Sequence, residues 1–100
     1  MIRGTTPTLT FTLPFSTSTI RSLMLTFSQS GKEVFTLEKE DCTLDDTSVI
    51  VHLTQEQTLK FLTTALVEIQ MRVLTTDNQA IASEIITCSI DKVLKDGELT

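Results

Sequence analysis

Thr8-Leu9-Thr10-Phe11-Thr12-Leu13 alternates polar and apolar residues without a break. Alternation of period two sets Leu9, Phe11 and Leu13 on one face of a strand and the threonines on the other. β-Branched threonine suits a pleated surface that is half exposed. Pro14 closes the run, since a proline has no amide to give to a ladder. Threonine fills 19 of the 100 positions, much of it in runs of this kind, so the stretch speaks for the whole chain.

Five further strands follow from the same rule. Ile20 to Ser28 puts Leu23, Leu25 and Phe27 inward and Ser22, Met24 and Thr26 outward. Ser30-Gly31 supplies a turn, and Glu33 to Leu37 returns with Phe35 and Leu37 inward. Glu38 to Ser48 holds five acids and one lysine; it reads as a solvated connection with at most a short edge segment. Strand character resumes over 48–53, with Val49, Val51 and Leu53 inward. Thr54 and Gln57 then have the spacing of a capping box, which starts a short helical crossover of about two turns. The longest strand spans 65–75, and Asp77-Asn78 favours a tight hairpin into a last strand over 79–90. Apolar parity changes along that last strand, so the sequence predicts a one-residue bulge near Glu84.

Two sheets packed face to face bury six such strands economically. The predicted fold class is an all-β sandwich of about six to seven strands in one domain, residues 1–100, with one short helical crossover. A small open barrel is the alternative. Residues 1–7 and 92–100 read as extended or loosely held ends, and Arg3 to Pro7 as an arm for an adjacent copy.

Composition limits function. A net charge of −5 opposes a phosphate-binding surface, and no base-stacking tyrosine or tryptophan is present. No apolar run approaches the roughly 18 residues of a membrane-spanning helix. The opening lacks the apolar stretch of a signal peptide. His52 is the only histidine and falls on a solvent face, so a histidine zinc site cannot be assembled. Cys42 and Cys88 read as free thiols in preference to a disulfide, and no signature pairs either with His52 as a nucleophile. Asp41, Asp45 and Asp46 lack the spacing and the glycine of a calcium loop. No enzyme, cofactor, metal, nucleic acid, membrane or small-molecule substrate is expected. The informative residues are instead Met24, Ile50, Leu66, Leu74, Ile81 and Ile85. Their parity sets them on nominally solvent faces, where they are candidates for a protein interface. Leu66 and Leu74 share one face of the longest strand, with Gln70 and Arg72 between them.

The path from Val51-His52-Leu53-Thr54 through Gln55-Glu56-Gln57-Thr58 to a long strand and a closing hairpin resembles the E-to-F corner of immunoglobulin-like sandwiches. The tryptophan, tyrosine corner and paired core cysteines of that family are absent, so the resemblance implies an immunoglobulin-like β-sandwich architecture alone. A second resemblance is more specific. Met1-Ile2-Arg3-Gly4-Thr5-Thr6-Pro7-Thr8, running into Phe11-Thr12-Leu13-Pro14-Phe15, is similar to small proteins of tailed phages and prophages of Gram-positive bacteria. Val67-Glu68-Ile69-Gln70-Met71-Arg72-Val73 and Ala82-Ser83-Glu84-Ile85-Ile86 resemble the same family, with Asp77-Asn78 where its members often carry Asp-Gly. This resemblance implies a virion structural or assembly protein, of tail or baseplate type. Such a protein binds copies of itself or other virion proteins, in the virion or the bacterial host cytoplasm. The alternative is a prophage-encoded module that recognises a host bacterial protein. No site residues follow from the resemblance.

Overall fold

The computed structural model describes all residues, 1–100, and shows an all-β sandwich. Its strands are β1 (Thr8–Thr12), β2 (Ile20–Gln29), β3 (Lys32–Glu38), β4 (Thr43–Asp45), β5 (Ser48–His52), β6 (Val67–Thr75), β7 (Ala80–Ala82) and β8 (Ile86–Cys88). One α-helix, α1 (Gln55–Leu59), links β5 to β6. A three-stranded sheet of order β1-β5-β4 faces a five-stranded sheet of order β3-β2-β6-β7, in which β8 also pairs with β6. Every pairing between named strands is antiparallel. In immunoglobulin terms the sheets are B-E-D and C′-C-F-G, with α1 at the E-to-F corner and no strand beside β1 in the place of A.

Alternation does the work that the sequence suggests. Leu23, Leu25 and Phe27 from β2, Val49 and Val51 from β5, and Val67, Ile69, Met71 and Val73 from β6 are all buried between the sheets. Phe61, just beyond α1, is fully buried and packs its ring against Phe27 and Phe35, with centroids 6.1 and 5.4 Å away. The Phe27 and Phe35 rings stack at 4.7 Å. Thr54 caps α1 by accepting from the Gln57 amide at 3.1 Å, while Gln57 Oε1 accepts from the Thr54 amide at 2.9 Å.

All three hairpins use positive φ, the β4–β5 loop at Asp46 (52°). Ser30 (52°) and Gly31 (77°) make the two-residue loop between Gln29 and Lys32, a primed turn that matches strand twist. Asn78 takes φ 64° in the turn between β6 and β7, which tolerates asparagine where glycine is commoner.

The acidic connection contains the short edge segment that the sequence allows: β4 pairs with β5 as a three-residue outer edge. Two expectations need correction. The last strand is two strands, which raises the total to eight. Arg72 faces Ala82 whereas Ile69 faces Ile86, so three steps along β6 are matched by four on the other side. That extra residue is the bulge, and it lies between β7 and β8. Ser83 bridges it: its hydroxyl accepts from the Met71 amide at 3.0 Å, and its own amide donates to the Met71 carbonyl at 2.8 Å.

The opening segment is not a free arm. Ile2 forms a parallel bridge with Asp91. The Arg3 guanidinium donates to the Leu59 and Phe61 carbonyls, both at 2.8 Å, and pairs with Asp96 at 2.6 Å. Arg3 therefore ties the start of the chain to the end of α1 and to the tail. The tail keeps its expected exposure, with Leu94 at 94%, although Gln55 exchanges two hydrogen bonds with the Leu99 backbone.

Candidate interaction surfaces

The six residues marked as interface candidates do not form one patch. Ile50 stands half-buried on the outer face of the three-stranded sheet, among Thr10, Thr43 and the other polar residues of that face. Leu66 is exposed just before β6 and does not line the groove that holds Met24 and Leu74. Ile85 lies in the bulge between β7 and β8 and is exposed. Ile81 is not on a solvent face. It pairs with Val73 and so points to the core side, yet it remains 39% exposed because the three-stranded sheet does not reach over it.

Met24 and Leu74 come together on one face. They line a groove of about 600 Å³ on the outer face of the five-stranded sheet, with Ala80 and Ala82 beside them, and Ile81 borders the same groove. The register places Glu38, Met24, Arg72 and Ala82 in one row across β3, β2, β6 and β7. Arg21, Lys39 and Glu40 complete a rim that carries both signs of charge. Lys39 reaches back to the Ile20 carbonyl at 2.9 Å, and Arg21 to the Asn78 side chain at 2.7 Å, so both are held. Sequence parity identified Met24 and Leu74. The alanines and the charged row needed the strand order.

A second cleft opens at the margin between the sheets, where Phe11 and Leu13 of the β1 side face Ile69, Met71 and Ile86. Ile86 is 47% exposed there although it points inward opposite Ile69. Phase counting on the last strand hid this margin, since the bulge moves Ile81 and Ile86 onto the same side.

Residues with chemical potential are dispersed. His52 Nδ1 lies 2.9 Å from the Thr8 hydroxyl on the outer face of the small sheet. The thiols of Cys42 and Cys88 are free. Burial pushes both thiols up from their ordinary pKa, and Asp41 and Glu40 push Cys42 further; at Cys88 the nearby terminal amine acts in the opposite direction. Thiols so shifted are less reactive at neutral pH. No cluster of three metal-ligating side chains occurs. No helix is long and apolar enough to cross a membrane. Comparison of the chain with protein-family profiles, with curated proteins and with solved structures gives no match.

Proposed function

We propose that the protein is a non-enzymatic structural or assembly protein of the tailed-phage type, tail or baseplate in character, that acts by associating with copies of itself. The phage assignment is carried by the resemblance of the opening residues and of the β6 and Ala82–Ile86 blocks. The mode of action is supported by one observation above all, the row Glu38–Met24–Arg72 on the outer sheet face. Met24 stands at the middle of that row, with an acid on one side and a base on the other. A twofold axis along the strand at Met24 brings Glu38 of each copy over Arg72 of its partner and Met24 against Met24. A self-complementary patch of this kind is what a closed dimer needs.

Sedimentation velocity tests it. The wild-type chain is expected to sediment as a dimer at micromolar concentration, and Arg72→Glu as a monomer. Joining Glu38→Arg to Arg72→Glu is expected to restore the dimer, because the row is then inverted but still complementary. Met24→Ser with Leu74→Ser also gives a monomer, whereas Leu66→Ser, outside the groove, changes nothing. A monomeric wild type, or a dimer indifferent to these changes, excludes self-association through this face.

A further inference from the structure

The sandwich is one strand short on one side. β1 ends the three-stranded sheet, while β7 and β8 project beyond it from the five-stranded sheet and leave Ile81 and Ile86 with their inward faces uncovered. Between β1 and this projecting margin runs the cleft of about 240 Å³ lined by Phe11, Leu13, Ile69, Met71 and Ile86. Its upper border is an open ladder. The Leu13 amide donates to Thr47 and the Leu53 amide to Pro7, so the odd-numbered residues of this stretch are those bonded to β5. By alternation, the amides and carbonyls of Thr8, Thr10 and Thr12 point away from β5, towards the cleft.

Free edges are ordinarily guarded by lysine, proline, a bulge or extreme shortness. The other margins have such guards: β3 begins Lys32-Glu33 and ends at Glu38, β4 is three residues long, and β7 and β8 are three residues each with the bulge between them. β1 has five residues, no charge, no proline and no bulge.

We propose that the β1 edge receives an extended segment of another polypeptide, which pairs with Thr8, Thr10 and Thr12 and turns every second side chain, an apolar one, into the cleft. This is strand addition, in which backbone hydrogen bonds give affinity and alternate side chains give specificity. It rests on the reading of the protein as one that works by association, but uses a different face from the Met24 groove. The occupant is a lone strand and not the edge of a second folded copy. Pairing β1 with β1 of another copy brings that copy's projecting β7 and β8 into the layer already filled by β6, β7 and β8. The chain's own start does not fill the place either, because Met1 to Arg3 bond to Ser89 and Asp91.

The probe is the octapeptide Thr-Ser-Val-Ile-Val-His-Leu-Thr, the sequence of residues 47–54. It contains the strand that β1 already accepts on its other side, from Thr8 opposite His52 to Thr12 opposite Ser48. Titrated into isotopically labelled full-length protein, it is expected to give saturable NMR shifts at the Thr8, Thr10 and Thr12 amides and at the Met71 and Ile86 methyls. Thr10→Pro removes an amide that β5 does not use, and is expected to weaken binding at least about tenfold. Ile86→Lys, which leaves the β1 backbone untouched, is expected to do the same and serves should Thr10→Pro not fold. The inference is overturned if millimolar peptide gives no saturable shift, if the shifts fall on β4 and β5 or on the Met24 groove, or if both folded variants bind like wild type. A dimer that persists while the peptide fails to bind removes this inference and leaves self-association standing.

Discussion

Phe27→Ala is expected to lower the free energy of unfolding by about 3–5 kcal/mol, the range for deleting a buried phenylalanine. Phe27 has no exposed surface, and it is the link between two layers: Phe35 stacks on one side and Phe61 approaches from the α1 corner. Neither neighbour can follow it inward. Phe35 is held by the β2–β3 ladder opposite Phe27, and Phe61 by the carbonyl that Arg3 engages. The cavity therefore stays open, and the cost falls at the high end. A chain of this length has a total stability on the order of 5–15 kcal/mol, so the variant lies near the limit of folding. Urea denaturation checks it: the midpoint drops by about 2–4 M with little change in slope. Phe27→Leu, which fills most of the space, is expected to lose only about 1 kcal/mol. A loss below about 1.5 kcal/mol for the alanine variant contradicts the packing argument.

Gln29→Leu carries the second large effect, though it makes the core more apolar. Gln29 ends β2 on the inward parity and is buried. Its side-chain amide donates to the Leu62 and Ala65 carbonyls at 2.7 and 2.9 Å, and its oxygen accepts from the Leu62 amide at 2.9 Å. These three bonds stand in for a strand along the loop between α1 and β6. Leucine matches the size and leaves three backbone groups without partners, at a cost of about 2–4 kcal/mol. Thermal melting followed by circular dichroism is expected to show a midpoint lower by at least about 10 °C. Hydrogen exchange locates the cause: the Leu62 amide loses protection in Gln29→Leu while the amides at the centre of β6 keep theirs. Gln29→Glu retains the acceptor but loses both donors, and its oxygens face two carbonyls, so it does not rescue.

Gln29 also shows where sequence reading stops. Strands, inward residues, both turns, the capping box and the need for a bulge were legible, because each depends on a pattern a few residues long. Gln29 has the correct parity for the core and the wrong chemistry for it; its partners lie more than thirty positions away and are backbone atoms, which carry no signature. Phe61 likewise sits in a segment that reads as the end of a helix, and its place in the core is set by the crossover. The same boundary applies to the surfaces. Met24 and Leu74 were marked by parity, but the charged row beside Met24 exists only because β3, β2 and β6 are neighbours. Parity counted from the Ile86 end gives Ile81 the wrong face, because one extra residue between β7 and β8 reverses the phase across it. Arg3, in a segment read as loose, holds the end of α1 through the Leu59 and Phe61 carbonyls and the tail through the Asp96 carboxylate, and no sequence pattern announces these partners.

The antiparallel pairing of β2 with β6 has a bearing on time. β2 and β3 are joined by a two-residue loop, and a hairpin of that kind closes within about 1–10 µs. β6, the central partner of β2, is synthesised only after β3, β4, β5 and α1, and its ladder cannot form until that whole stretch has been gathered. Folds governed by such remote pairings assemble in milliseconds to seconds. Until β5 is in place Thr8 to Leu13 has no sheet to join, and it presents an uncharged alternating run to other unfolded chains. Refolding from denaturant is thus a competition between first-order closure of the sandwich and second-order encounter of these segments, and dilution decides it in favour of the native state.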